Sequence, residues 1–203
     1  MNRLKLLPLL ILISIAGSST AQGLKLTGFA GYTIQDKAYG YYGDLTIGDG
    51  MHFGGTLSKE LSNQMSVDLT YSYQSTTFGV KDYSSITNNL SGNYSGSVSY
   101  LMLGSTHSPD FSAKVAPYGG IMLGAAIFNA KEIISETWKF AVGAKLGAVI
   151  HVNDKVGIMI QTQLMIPVQG IGLYIGTGGV GAGTTSSATQ LGFTGGIEVK
   201  LGN

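Results

Sequence analysis

The chain has 203 residues, 44% of them hydrophobic and only 11% charged, with 31 glycines, 11 tyrosines and no cysteine. A formal net charge of +1 argues against a basic surface for nucleic acid. The lack of cysteine excludes disulfides, thiol catalysis and Cys-type zinc sites.

The chain opens on "MNRLK", with Arg3 and Lys5, followed by the apolar run "LLPLLILISIAG" and then "SSTAQ", which places small residues at Ser19 and Ala21. This order is that of a secretory signal peptide. A helix that spans a bilayer needs about 20 apolar residues, more than residues 6–17 supply. The reading is a cleaved signal over 1–21 and a single domain over 22–203. Loss of Arg3 and Lys5 takes the net charge from +1 to −1.

Beyond residue 21 the apolar residues alternate. In "KVGIMIQTQLMI", Val156, Ile158, Ile160, Leu164 and Ile166 share one face, and Gly157, Met159, Gln161, Gln163 and Met165 the other. Period two is the mark of a strand with two different faces. The same pattern predicts eight strands near 23–34, 50–61, 65–76, 94–106, 113–127, 138–152, 155–167 and 190–201. Each exceeds the about 5–6 residues of ordinary strands and reaches the about 9–11 that cross a membrane. Short and long connections alternate. Short ones follow the second, fourth and sixth strands; long ones span 35–49, 77–93, 128–137 and 168–189, the third with room for one helical turn. Outer-membrane barrels have short periplasmic turns and long outer loops. In hydrocarbon only a closed sheet satisfies its backbone. The predicted fold is therefore all-β: a transmembrane antiparallel up-and-down barrel of eight strands, in a bacterial outer membrane.

One face of each strand is nearly free of charge, as a lipid-facing wall requires. Tyr32, Phe53, Tyr71, Tyr73, Tyr94, Tyr100 and Phe193 are read in that phase, as an aromatic girdle. The opposite phase carries Lys25, Glu60, Asp68, Lys114, Lys139, Lys145, Glu198 and Lys200, with His52 and His151. These residues form either a plug of paired charges or a polar conduction path. The first and last strands must be neighbours, which suggests a Lys25–Glu198 or Glu60–Lys200 pairing.

The signal "LLPLLILISIAGSSTA", the start "LKLTGFAGYT", the strand "VAPYGGIMLGAAI" and the end "GFTGGIEVKL" resemble the small eight-stranded outer-membrane barrels of the OmpA/OmpX type. The resemblance implies outer-membrane lipid and the barrel assembly machinery as partners. Such barrels commonly end in an aromatic residue; this chain ends "KLGN", with Leu201 as its last lipid-facing residue.

Some barrels of this size are lipid hydrolases, which need a nucleophile, a base and an acid. None of His52, His107 or His151 stands in such a pattern, nor at metal-ligand spacing. Gly176, Gly178 and Gly181 spell G-x-G-x-x-G, but no helix pattern follows to hold a pyrophosphate. The sequence thus implies no cofactor, metal, nucleotide or nucleic acid. The expected role is structural or interactive, through loops that meet an extracellular or envelope protein partner. The alternative is a narrow channel for small solutes or ions.

Overall fold

The computed structural model describes residues 23–40, 43–82, 92–130, 134–168 and 189–201. The predicted signal peptide, most of the second loop and the Gly-rich fourth loop lie outside these residues. The described strands are β1 (Leu24–Thr33), β2 (Asp36–Gly40), β3 (Gly43–Ile47), β4 (Gly50–Ser62), β5 (Met65–Asp82), β6 (Gly92–His107), β7 (Val115–Ala130), β8 (Ile134–His151), β9 (Val156–Pro167) and β10 (Gln190–Lys200).

Every pairing is antiparallel, and β1, β4, β5, β6, β7, β8, β9 and β10 follow one another around a closed ring. The seam joins the first and last strands, with Lys25 opposite Lys200 and Thr33 opposite Gly192. Closure leaves no edge in the ring. This is the transmembrane antiparallel eight-stranded barrel.

The strands form because their residues alternate, and the alternation decides what faces the lumen. On β5, Ser66, Asp68, Thr70, Ser72 and Gln74 are buried, while Met65, Leu69 and Tyr71 are exposed on the outer wall. Ile121, Leu123, Leu146, Ile160 and Ile197 continue that wall and are each more than half exposed. An uninterrupted apolar surface of this extent is stable against hydrocarbon and not against water.

At the long-loop end the pattern inverts. Above Tyr73, β5 turns Ser75 and Thr77 outward and buries Phe78; above Leu101, β6 turns Ser99, Ser97 and Ser95 outward and buries Val98. A polar exterior over an apolar interior is the arrangement of a barrel in water. β5 is 18 residues long, well beyond the about 11 needed to cross, so this part stands clear of the apolar wall.

The predicted first loop, 35–49, is corrected by the same extension. It forms the hairpin β2–β3, in which β3 pairs with residues 78–82 of β5 while β4 pairs below. Residues 48–51 lie opposite 75–77, so the strand gains one residue there as a β-bulge. The Gly48 carbonyl that the bulge turns inward accepts hydrogen bonds from Thr76 Oγ1 at 2.6 Å and Gln74 Nε2 at 3.3 Å. A side chain at Gly50 would place its Cβ 2.3 Å from the Ser75 carbonyl oxygen, which fixes glycine at that position. The third predicted loop is also shorter than expected. β7 runs to Ala130 and β8 starts at Ile134, so the helical turn drawn from "NAKEIISETW" is replaced by strand on both sides.

Leu123→Arg, in the middle of the outer wall, is expected to cost about 2–4 kcal/mol. Urea titration of the protein refolded into lipid vesicles measures it.

Candidate functional site

The interior is stacked in tiers from the short-turn end upward. In the lowest tier Lys25 of β1 bridges its two neighbours: its Nζ lies 2.7 Å from Glu60 Oε1 on β4 and 3.2 Å from Glu198 Oε1 on β10. Below it sits the Phe111 ring, with Lys25 Nζ 4.9 Å from the ring centroid, close enough for a cation–π contact. Phe111 belongs to the turn between β6 and β7, yet it is 7% exposed. The turn is held under the barrel by Ser108 N–H, which donates to the Gln64 carbonyl at 3.0 Å, and by Phe111 N–H, which donates to the Asn63 carbonyl at 3.1 Å. His151, at the end of β8, lies 2.8 Å through Nδ1 from the Ala113 carbonyl of the same turn.

The second tier spans the lumen. Lys145 of β8 donates to Asp68 Oδ2 of β5 at 2.8 Å, three strands away around the ring. Asp68 also accepts from Thr106 Oγ1 and, at 3.0 Å, from Ser66 Oγ. Gly120 makes the crossing possible: a Cβ there would lie 3.1 Å from Lys145 Cε and 2.6 Å from the Ser105 carbonyl oxygen. A cavity of about 40 Å³ remains between the two tiers, lined by Lys25, Asp68, Lys145, Gln161 and Glu198 among others. Since one water needs roughly 10–15 Å³, the space fits a few waters and no solute.

The third tier is neutral and polar. Tyr100 of β6 donates to Gln190 Oε1 of β10 at 2.6 Å, across the full width of the ring. His52 lies between two hydroxyls, 2.9 Å from Thr33 Oγ1 and 3.0 Å from Thr194 Oγ1. Tyr118, Gln161 and Gln163 form a chain of hydrogen bonds at 2.9 and 3.1 Å between this tier and the one below. Above, on the β5–β8 side, the lumen is filled by an apolar cluster that includes Ile47, Phe78, Val98, Met102, Met122, Ala126 and Met165.

Among the sequence-selected charges, Lys25, Glu60, Glu198 and His151 gather in the lowest tier, and Asp68 and Lys145 meet in the second. Among the described residues no ion pair joins Glu60 to Lys200; Lys200 is half-buried at the mouth. Lys139 shares the inward phase of Lys145 but lies toward the other end of β8, half-buried and apart from Asp68. Lys114 is a correction: it is exposed in the β6–β7 turn, outside β7 and outside the lumen.

Of the aromatic set, Tyr32, Phe53, Tyr71, Tyr73 and Phe193 face outward. Tyr32 stands opposite Phe193 in register, and the Phe53 and Tyr73 rings lie 5.4 Å apart. Tyr100 and Tyr94 are corrected. Tyr100 is buried in the lumen at 4% exposure, and Tyr94 shares its phase, opposite buried Phe78. The serines of "NYSGSVSY" resemble a lumen face, but they lie where the wall has left the apolar zone. Sequence reasoning missed Trp138, which is exposed in the outward phase of Phe140; that shared parity was the available signal. It also missed Phe111, for which a turn sequence carries no signal.

The three histidines have separate settings: His52 in the third tier, His151 in the lowest, and His107 exposed at the end of β6. Among the described residues no three His, Asp or Glu side chains form a group able to hold a metal ion.

A closed eight-stranded ring with an apolar wall and a filled interior defines the class as the small outer-membrane β-barrel. No family model matches the chain, and no curated sequence matches it significantly. Solved structures do match its fold. Neisserial surface protein A aligns at TM-score 0.60 and 13% identity, over 88% of this chain and 97% of that one. The outer membrane protein OprG of Pseudomonas aeruginosa aligns at TM-score 0.60 and 14% identity, over 89% and 95%. The outer membrane protein AlkL, solved in lipid bilayers, aligns at TM-score 0.55 and 14% identity, over 87% and 89%.

Lys145→Met is expected to cost about 3–5 kcal/mol, because Asp68 is left buried and unpaired, and Asp68→Asn less, because Thr106 and Ser66 remain beside it. The double variant is expected to cost less than the sum, and a double-mutant cycle in urea checks the coupling. Tyr100→Phe removes the partner of Gln190 Oε1 and is expected to cost about 1–3 kcal/mol, read from the same titrations.

Proposed function

We propose that the protein is a non-enzymatic resident of the bacterial outer membrane whose barrel is a sealed structural body. Its role is carried by the wall in the lipid and by the part that rises above it. In this reading the short turns face the periplasm and the β2–β3 end faces outward. Tyr32, Phe53, Tyr71, Tyr73 and Phe193 then form the girdle at the outer interface. The candidate partners are the surrounding lipid, the assembly machinery that inserts the barrel, and a protein met at the outer rim.

The filled lumen is the observation that carries the reading. A channel needs a continuous wet path, and an eight-stranded ring has room only for side chains. Here the lower lumen is tied by Lys25, Glu60, Glu198, Lys145 and Asp68 and closed beneath by Phe111, while the upper lumen is packed with apolar side chains. A solute would have to break buried ion pairs and displace a packed cluster.

Purified protein in planar bilayers is expected to give no reproducible single-channel steps. Steady conductance from the wild type, changed in size or ion selectivity by Asp68 or Lys145 substitution, would overturn the sealed-barrel reading in favour of a pore.

A further inference from the structure

The lowest tier does not balance its charge with the lysines alone. Glu60, Asp68 and Glu198 bring three carboxylates, and Lys25 and Lys145 two ammonium groups, into one connected region of the lumen. An unpaired negative charge in such a place is costly. The side chains that face it come from every element around it: Lys25 from β1, Glu60 from β4, Asp68 from β5, Lys145 and His151 from β8, and Glu198 and Lys200 from β10. Lys200 lies half-buried at the mouth, and Lys114, Asp154 and Lys155 in the nearby turns are exposed. His151, its side chain 12% exposed, is the further basic group that faces Glu198, and Tyr118 of β7 lines the same space.

The bonding of His151 agrees. A carbonyl oxygen only accepts, so the contact with Ala113 places a proton on Nδ1. The other ring nitrogen, Nε2, is 4.0 Å from Glu198 Oε1. Both atoms are buried; Nε2 has no hydrogen-bond partner among the described residues, while Glu198 Oε1 also lies 3.2 Å from Lys25 Nζ. With a neutral ring, two lone pairs would face each other there. With a second proton, Nε2 becomes a donor aimed at a carboxylate.

The geometry points to a proton-binding site at His151–Glu198, in which a doubly protonated imidazole completes the charge balance. It also fastens the β6–β7 turn, and with it Phe111, to the first and last strands. The proton is the ligand: carried on Nε2, it lets the ring that holds the Ala113 carbonyl through Nδ1 also hold Glu198, and through Glu198 Lys25. The site is a latch on the short-turn end of the barrel. It stands on the side-chain geometry alone, whether or not the barrel conducts.

The test is the ¹⁵N spectrum of histidine-labelled protein in detergent micelles at neutral pH. His107, exposed on the outer face, and His52, between two threonine hydroxyls, serve as internal references. The expected result is a pair of imidazolium-type nitrogens at His151. In Glu198→Gln the ring is expected to become neutral with its proton on Nδ1. The Phe111 and His151 amides are then expected to exchange about tenfold faster. A neutral His151 in the wild type would overturn the proposal. So would a His151 signal that follows sodium or potassium concentration, since a metal cation would then be balancing the carboxylates. The wild-type spectrum decides the protonation state even if the variant does not fold.

Discussion

A ring of eight strands encloses a space a few side chains wide, and whatever points inward has to fill it. That requirement governs the molecule. Period-two alternation sends about half of each strand inward, where no bulk water waits to solvate it. Each polar group there needs a hydrogen-bond partner. Some partners come from across the lumen, as Lys145 reaches Asp68 and Tyr100 reaches Gln190; others come from adjoining strands, as Lys25 meets Glu60 and Glu198 and His52 meets Thr33. The backbone bonds make a cylinder, and these side-chain ties keep it from ovalising or emptying.

The fold was legible because the bilayer imposes a simple code. A charged residue in the lipid phase is expensive, so charges in "KFAVGAKLGAVIH" and "QLGFTGGIEVK" mark the inward face. The code fails where the bilayer stops acting. In "GNYSGSVSYLMLGSTH" the outward face begins with serines, because that part of β6 stands in water, and the inward face holds Tyr94, Val98 and Tyr100. Reading the serines as lumen places both tyrosines on the wrong side. The same change of surroundings hid β2 and β3. Ile47 and Phe78 are core residues of an extension built like a water-soluble barrel, and a search for apolar-outward alternation ends before reaching them.

The interior was legible in its membership and less so in its connections. Chain order and closure put Lys25 and Glu198 on adjoining strands, so sequence alone makes their meeting reasonable. Lys145 and Asp68 are 77 positions apart and on strands that do not touch. Their contact depends on strand tilt and on the gap left by Gly120, neither of which alternation encodes. Phe111 follows from no periodicity at all. It reaches the lumen because two turns bind each other through Ser108, Phe111, Asn63 and Gln64.

The seam between β1 and β10 joins the two ends of the barrel sequence. On its inner side Lys25 reaches Glu198 and His52 of β4 reaches past β1 to Thr194. With every other strand in place but this seam unzipped, Lys25 would keep only Glu60 of β4, and Glu198 and Thr194 would lose Lys25 and His52. The inner side chains thus add polar ties to a junction whose two strands no turn connects.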